Sequence, residues 1–306
     1  MLPFRLIYSD RYDLNLGDHV FPSKKYKWLH DRFLWARFAT AEDFVAPEPA
    51  ADEDVLLAHD AEWVNKLRNG TLTYQDILRL EIPYSRQMVE AFWLCAGGTI
   101  LAARHAISGG IGFNLGGGFH HAFAGHGEGF CAINDIAIAV RRMQRDGAIR
   151  RAMVVDCDVH HGNGTAGIFE GDMSVFTLSI HQFNNYPTVK PLSSLDIHLP
   201  DGTGDAEYLN RLGNGYRAAL AMFKPELVIY VAGADPFYED QLGGLALTFD
   251  GLKERDRLVI WTALTHGIPV AIVLAGGYSQ NVEDTVTIHA NTAGVAKEVL
   301  EKAPWK

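Results

Sequence analysis

The chain has 306 residues, 48% hydrophobic and 21% charged, enough apolar material for a sizeable core and unlike the composition of a disordered chain. A net charge of −10 argues against nonspecific nucleic-acid binding, which needs a basic surface, and three scattered cysteines exclude a disulfide framework or a cysteine-based zinc site. The N-terminus lacks the basic-then-apolar pattern of a signal peptide, and no uncharged apolar run approaches the roughly 20 residues of a spanning helix, so a soluble cytoplasmic protein is expected.

Arg5 to Tyr8 reads as the first strand, followed by a polar loop through Asn15-Leu16-Gly17-Asp18-His19. Pro22 opens an aromatic-rich helix carrying Tyr26, Trp28, Phe33 and Trp35, and Ala46-Pro47-Glu48-Pro49 is a hinge too short to divide domains. Another helix is expected from Asp52 to Arg68, with His59-Asp60 inside it as a loop-facing pair. From Pro83 a longer helical pattern runs through Leu101, and Gly97-Gly98 within it marks close packing or a kink.

Ile111 to Leu115 is the next strand, and it runs straight into Gly116-Gly117-Gly118-Phe119-His120-His121. Three glycines before two histidines require backbone that turns tightly or approaches something closely. A second glycine-rich loop, Gly125 to Cys131, precedes Asn134-Asp135, which caps a helix through Met143. Met153 to Val155 is a buried strand ending in Asp156-Cys157-Asp158-Val159-His160-His161-Gly162-Asn163. Ser174 to Ile180 forms another strand, and the segment from Gln182 to Thr203, with Tyr186-Pro187, reads as a long irregular loop. A helix from Asp205 to Phe223 and a strand from Leu227 to Val231 lead to Asp235; a helix from Asp250 to His266 and a strand from Val270 to Leu274 lead to Ala275-Gly276-Gly277-Tyr278. A last helix covers about Val282 to Lys302.

Helices thus alternate with strands throughout, which predicts an α/β fold: one three-layer α/β/α domain over residues 1–306 with a mainly parallel sheet. In such sheets ligands bind beyond the carboxyl ends of the strands, where His120, His121, Asp156, Asp158, His160, Asp235 and Tyr278 all fall.

Charged groups at the mouth of a core strand are costly unless paired or bound to a metal. In an extended segment Asp158 and His160 point to the same side and can share one ion; the bland alternative is a loop whose aspartates cap a helix and whose histidines are polar fillers. With Asp235 they make three oxygen and nitrogen ligands, suited to Zn2+ and acceptable to Fe2+ or Co2+, with a fourth position open for water or substrate. His120 and His121 would serve as general acids or bases, Asp156 would orient one imidazole, and Tyr278, on a flexible Gly-Gly turn, would donate to an oxyanion. This constellation describes metal-assisted hydrolysis of an amide or ester.

At this point the chain resembles the histone deacetylase superfamily of arginase-like fold. The matching pieces are Gly117 to Ala122, Gly129-Phe130-Cys131 with Asn134-Asp135, Asp156 to Thr165, Ala232 to Asp235 and Ala275 to Tyr278, in the family's order. The resemblance implies a zinc on Asp158, His160 and Asp235, the tandem catalytic pair His120 and His121, Asp156 behind His120, and Tyr278 polarising the acyl carbonyl. It also implies an acyl-lysine tunnel lined by Gly129 and Phe130, with Tyr186-Pro187 and Tyr26-Lys27 as rim candidates. A structural K+ would lie near Asp156, Asp158, His160, Ser179 and Ile180.

Asn163 stands where many members of the superfamily carry an acid behind the second histidine. An amide stabilises an imidazolium less than a carboxylate does, so His121 should be a more readily neutral base. His-His-Gly-Asn-Gly and the Asn15 to Pro22 segment resemble class IV-type and related bacterial deacetylases, and members of that type can prefer long acyl chains. The expected substrate is an acyl-lysine protein or peptide, with no direct nucleic-acid or membrane partner and no oligomeric state implied. Three alternatives compete. One is an acylpolyamine or other small-molecule amidohydrolase, for which Glu239 and Asp240 near the site could favour a cation. Another is a non-catalytic zinc-bearing protein that binds acyl-lysine. The third is a two-metal ureohydrolase, which the lack of further paired aspartates after Asp235-Pro236 disfavours.

Overall fold

Eight strands lie side by side in one sheet, and every neighbouring pair is parallel. The computed structural model describes residues 1–305. The strands are β1 (Arg5–Ile7), β2 (Phe44–Val45), β3 (Ile111–Asn114), β4 (Ala152–Asp156), β5 (Val175–Gln182), β6 (Leu195–Leu199), β7 (Leu227–Val231) and β8 (Val270–Val273), in the order β2-β1-β3-β8-β7-β4-β5-β6. Every residue of β3, β4, β5, β7 and β8 is buried. These strands read as continuous apolar runs because helices cover both faces of a parallel sheet.

The helices are α1 (Lys25–Trp35), α2 (Asp52–Val55), α3 (Ala61–Asn69), α4 (Tyr74–Leu80), α5 (Arg86–Gly109), α6 (Asp135–Arg145), α7 (Asn163–Ile168), α8 (Asp205–Phe223), α9 (Phe249–Thr265) and α10 (Val282–Lys302). Crossovers through α5, α6 and α7 carry the chain across the sheet in one direction, and those through α8 and α9 carry it back. Parallel crossovers are right-handed, so the two sets lie on opposite faces. Accordingly α5 packs on α6, while α9 packs on α8 and α10, and α10 on α1.

The reversal falls between the neighbours β4 and β7: the chain leaves β4 toward β5 and leaves β7 toward β8. At such a switch point the two loops diverge and open a crevice at the carboxyl ends of the strands.

Several expectations are corrected. The Asp52–Arg68 helix is two helices, because the chain turns over residues 56–60 between α2 and α3. His59 lies buried there and accepts a hydrogen bond from the Asn134 amide at 2.9 Å. β2 and α4 were not anticipated, and the long irregular loop is shortened by an extended β5 and by β6. β6 sits at the sheet edge, only its last residue is buried, and Asp196 and His198 break its apolar pattern, so no strand signal stood out. At Gly97-Gly98 the cause is close packing: α5 runs through as one helix, and a Cβ on Gly97 would collide with the Glu48 carbonyl oxygen.

Candidate active site

The crevice gathers its chemistry from two strand ends. After Asp156 the chain leaves β4 and bends, so Asp158 and His160 do not meet by strand alternation as expected. They meet because the Asp158 carboxylate accepts the His160 backbone N–H at 3.0 Å and curls the segment back on itself. His160 Nδ1 then lies 3.1 Å from Asp158 Oδ1 and 3.4 Å from Asp235 Oδ2, the latter delivered by the loop after β7. Asp156 is not part of this group; its carboxylate accepts from the Asp158 amide and faces His120.

Two carboxylates buried this completely oppose each other. Burial, then the Asp158 charge, raises Asp235 to about 7, while burial lowers His160 but the two nearby carboxylates outweigh it and hold the ring up at about 10. Asp235 Oδ2 has no hydrogen-bond partner among the described residues. Its other oxygen is held by the Val159 N–H at 2.8 Å, and Asp158 Oδ2 by the Gly276 N–H at 2.9 Å. The free oxygen, the paired charge and the donor spacing fit a divalent cation, since ligands about 2.0–2.2 Å from a tetrahedral ion stand about 3.3–3.6 Å apart.

A second group, His161, His181 and Asp196, has comparable spacing but does not fit. His161 Nε2 is 3.1 Å from the Asp196 carboxylate, and its Nδ1 is buried without a partner among the described residues. A metal on Nε2 would force the ring proton onto that Nδ1, where nothing accepts it. The group is a hydrogen-bond network.

His120 and His121 lie beside the Asp158, His160 and Asp235 group on the loop after β3. Asp135, fully buried, shapes that loop by accepting from the Gly118 and Phe119 amides at 2.8–3.0 Å and from Thr99 Oγ1 at 2.6 Å. His120 Nδ1 is 2.7 Å from Asp156 Oδ2, and His121 Nδ1 is 2.6 Å from Asn163 Oδ1. Burial lowers His120, but the Asp156 and Asp158 carboxylates win and raise it to about 9. Burial and the neighbouring imidazoles hold His121 well below the usual histidine range. Environments that push two titratable neighbours apart separate acid and base roles.

Tyr278 follows Gly277, and its turn is pinned rather than flexible: its amide donates to Asp240 Oδ2 at 2.6 Å, and its carbonyl accepts from Gln241 Nε2 at 2.8 Å. Burial, then Asp158 and Asp235, keep its hydroxyl protonated, so it has a hydrogen to donate. From the surface a tunnel of about 170 Å3 leads in past Glu81, Gly129, Phe130, Tyr186 and Leu242 to His121, His160 and Tyr278. A second, smaller cavity of about 20 Å3 lies against Tyr278, His120, His121 and Asp158 and is walled on its other sides by Phe119, Cys131, Ala275 and Gly276. A larger open depression of about 700 Å3 over residues 183–198 contains none of this chemistry.

Tyr26 and Lys27 do not form the rim: Tyr26 is buried, and Lys27 pairs with Asp31 at 2.6 Å. Their neighbour Lys25 turns inward instead, donating to the Ala275 carbonyl at 2.6 Å, with burial lowering it to about 8 against the pull of Asp235 and Asp158. Asp240 is no rim charge either, its carboxylate being taken up by the amides of Tyr278, Leu242 and Gly243. The exposed acid lining the tunnel is Glu81. Ser179 is the register partner of Asp156 across β4 and β5, with Ile180 next along β5.

Sequence reasoning also missed Arg255. It is fully buried on α9, paired with Asp256 at 2.8 Å, and donates to the Gly233 and Cys157 carbonyls at 2.6 and 3.3 Å, tying together the two ligand-bearing loops. Within the run Lys253-Glu254-Arg255-Asp256-Arg257 nothing set it apart from a solvated face.

The chain is similar to known proteins. The family model described as "Histone deacetylase domain" matches residues 19–293. An uncharacterized protein of Picosynechococcus is 40% identical, covering 97% of this chain and 99% of its own. Histone deacetylase 2 of Arabidopsis thaliana is 31% identical over 90% of this chain and 75% of its own, and a probable deacetylase of Methanothermobacter thermautotrophicus is 34% identical over 77% and 74%. The HDA15 HD domain superposes with a TM-score of 0.82 at 24% identity, covering 97% of this chain and 91% of that one. A histone deacetylase homologue solved with SAHA gives 0.79 at 24% identity, over 97% and 88%. These two likenesses concern the fold.

Proposed function

The chain belongs to the histone deacetylase family and is accordingly a hydrolytic deacetylase; from that premise we propose that it removes a short acyl group, acetyl foremost, from the side-chain amine of lysine in a protein or peptide. The observation that carries this reading is the buried set Asp158, His160 and Asp235, with its free Asp235 oxygen, at the floor of a tunnel that also presents His121 and Tyr278.

In this reading Asp158, His160 and Asp235 hold a zinc ion, which when bound supplies Lewis acidity toward the acyl oxygen and toward water. Phe130 and Tyr186 wall the tunnel, exclude water and align the extended lysine stem. His121, neutral, accepts a proton at Nε2 from the attacking water. His120, protonated and held by Asp156, offers positive charge to the developing tetrahedral centre. Tyr278 donates its hydroxyl hydrogen to the oxygen that gains charge. The proton held by His121 then passes to the departing lysine amine.

The acyl group would enter the small cavity against Tyr278, whose narrow walls of Phe119, Cys131 and Ala275 favour acetyl over long acyl chains. A structural potassium near Asp156, Asp158, His160, Ser179 and Ile180 is supported by the β4–β5 register. We read residues 1–306 as one catalytic domain, since strands from Arg5 to Val273 share a single sheet. Free, buried Cys95, Cys131 and Cys157 suit a reducing, cytoplasmic setting. Among the described residues no helix is long and apolar enough to cross a membrane.

One observation favours a second substrate class: Glu81 at the tunnel lining would attract a cationic small molecule such as an acylated polyamine. Hydrolysis of one peptide bearing acetyl-, octanoyl- or myristoyl-lysine, alongside acetylated putrescine and spermidine, with and without chelator, tests both. Chelator-sensitive release, fastest from acetyl-lysine, is expected. Fastest release from the polyamines would favour the second class, and zinc bound at one per chain with no release from any substrate would favour a binding protein.

A further inference from the structure

Asn163 raises a question that the tandem histidines leave open. Its amide oxygen and nitrogen are nearly the same size, so contact with His121 alone could place either end against the ring. With the oxygen there, His121 carries its proton on Nδ1 and presents a bare Nε2 to the site. With the nitrogen there, the tautomer reverses, and Nε2–H cannot accept a proton from water.

A third residue breaks this symmetry. Asn163 Nδ2 donates to Glu128 Oε1 at 2.5 Å, on the side of the amide away from His121. An ionised carboxylate only accepts, so the Asn163 nitrogen must face Glu128 and its oxygen must face His121 Nδ1. Burial raises Glu128, but bonds from His126, Asn163 and Tyr186 outweigh that and hold it below the usual range, so it is ionised at neutral pH. Its own place is fixed from two sides, by Tyr186 Oη at 3.1 Å on the same oxygen and by His126 Nε2 at 3.2 Å on the other.

The backbone around Glu128 serves the same end. Glu128 and Cys131 exchange N–H···O=C bonds at 2.9 and 3.1 Å across a two-residue turn, in which Gly129 and Phe130 have φ of +52° and +68°. Positive φ at both central positions is the geometry of a type I′ turn, and a phenylalanine adopts it only when held there. This turn places the Phe130 ring in the tunnel wall and the Glu128 carboxylate against Asn163.

We propose that Glu128 is a positioning residue: through the Asn163 amide it keeps the proton on His121 Nδ1 and leaves Nε2 bare to accept one from the attacking water. A carboxylate one residue removed thus fixes the tautomer that an acid in direct contact with the imidazole would otherwise fix. The proposal rests on the reading of His121 as the base, and its test separates the two.

The first measurement is ring-nitrogen NMR of histidine-labelled, zinc-loaded full-length protein. His121 is expected as the Nδ1–H tautomer in the wild type and as a mixture in Glu128→Gln. An Nε2–H wild type, or an unchanged tautomer in the variant, overturns the proposal whatever the activity. Kinetics form the second measurement. Glu128→Gln should lose roughly tenfold in kcat, part of what a general base contributes, with KM for an acetyl-lysine peptide unchanged within about twofold. Asn163→Asp alone sets carboxylate against carboxylate and should lose more. The double variant E128Q/N163D, in which the acid at 163 takes up both donors, should recover to within about threefold of wild type. Losses in the double variant that simply multiply those of the single variants also overturn the proposal. Full turnover in His121→Ala would instead remove the base assignment, leaving the tautomer result to stand by itself.

Discussion

His120 and His121 are sequence neighbours whose rings lie 4.0 Å apart between centroids, yet their Nδ1 atoms end on opposite chemistries, the Asp156 carboxylate for one and the Asn163 amide oxygen for the other. Both rings are buried, so exposure does not separate their proton affinities: the Asp156 and Asp158 carboxylates outweigh burial at His120, while burial and the neighbouring imidazoles prevail at His121.

A bell-shaped pH profile with distant limbs follows. The base must be neutral, so kcat/KM should rise as pH climbs through the depressed His121 value, putting the acid limb below about 6.5. The positive partner must keep its proton, so activity should fall as pH climbs toward the His120 value of about 9. A cation sharing the Asp158 charge would move that alkaline limb downward, which makes about 9 its upper bound. Rates measured from about pH 5 to 10 check this, and an acid limb above about pH 7 would contradict neutral His121 as the base.

With Tyr278 as the donor to the acyl oxygen and not a metal ligand, Tyr278→Phe should lower kcat by about 10²- to 10³-fold while zinc remains at one per chain. Asp235→Ala should lose both zinc and turnover. Metal analysis alongside single-turnover rates separates the two variants, and full activity in Tyr278→Phe would remove the role given to its hydroxyl.

Chelation should lower Tm as well as activity. A ligand present at 100 times its Kd stabilises by about 2.7 kcal/mol, which for a chain of this size is a shift of several degrees. Calorimetry with and without chelator reads it; an unchanged Tm together with lost zinc would mean that the buried acids are stable without a cation.

Asp135→Ala should destabilise by about 3 kcal/mol or more, since it strands the Gly118 and Phe119 amides in the interior. Activity should fall with stability, because the same carboxylate shapes the loop that carries both histidines. Denaturant unfolding and kcat measured together test this, and wild-type stability would show that other contacts shape the loop.

Acyl length should follow cavity size. Octanoyl- and myristoyl-lysine are expected to be turned over with kcat/KM at least about tenfold below acetyl-lysine, since the small cavity against Tyr278 is walled by the buried Phe119, Cys131 and Ala275. Equal rates across the three chains would mean that this end of the tunnel opens in solution.

Much of this architecture was legible in the residue order. Apolar runs ending in Asp, His or Gly-rich segments mark β3, β4, β7 and β8, and parallel strands place every such ending on one edge of the sheet, so His120, Asp158, His160, Asp235 and Tyr278 had to gather there. Residues whose role depends on a distant partner were not legible. Arg255 reads as a surface charge until α9 packs beneath the β4 and β7 loops, Lys25 is indistinguishable from Lys24 or Lys27 until α1 turns it inward, and Glu128 is an ordinary loop acid until it meets Asn163, 35 residues on. Which groups stand at the strand ends follows from the residue order, because apolar runs and their polar endings are local properties of the chain. Which of those groups come to share a proton or a backbone carbonyl, or stand close enough to share a cation, is settled in the folded chain, because these interactions act over about 3 Å between segments that the chain order holds far apart.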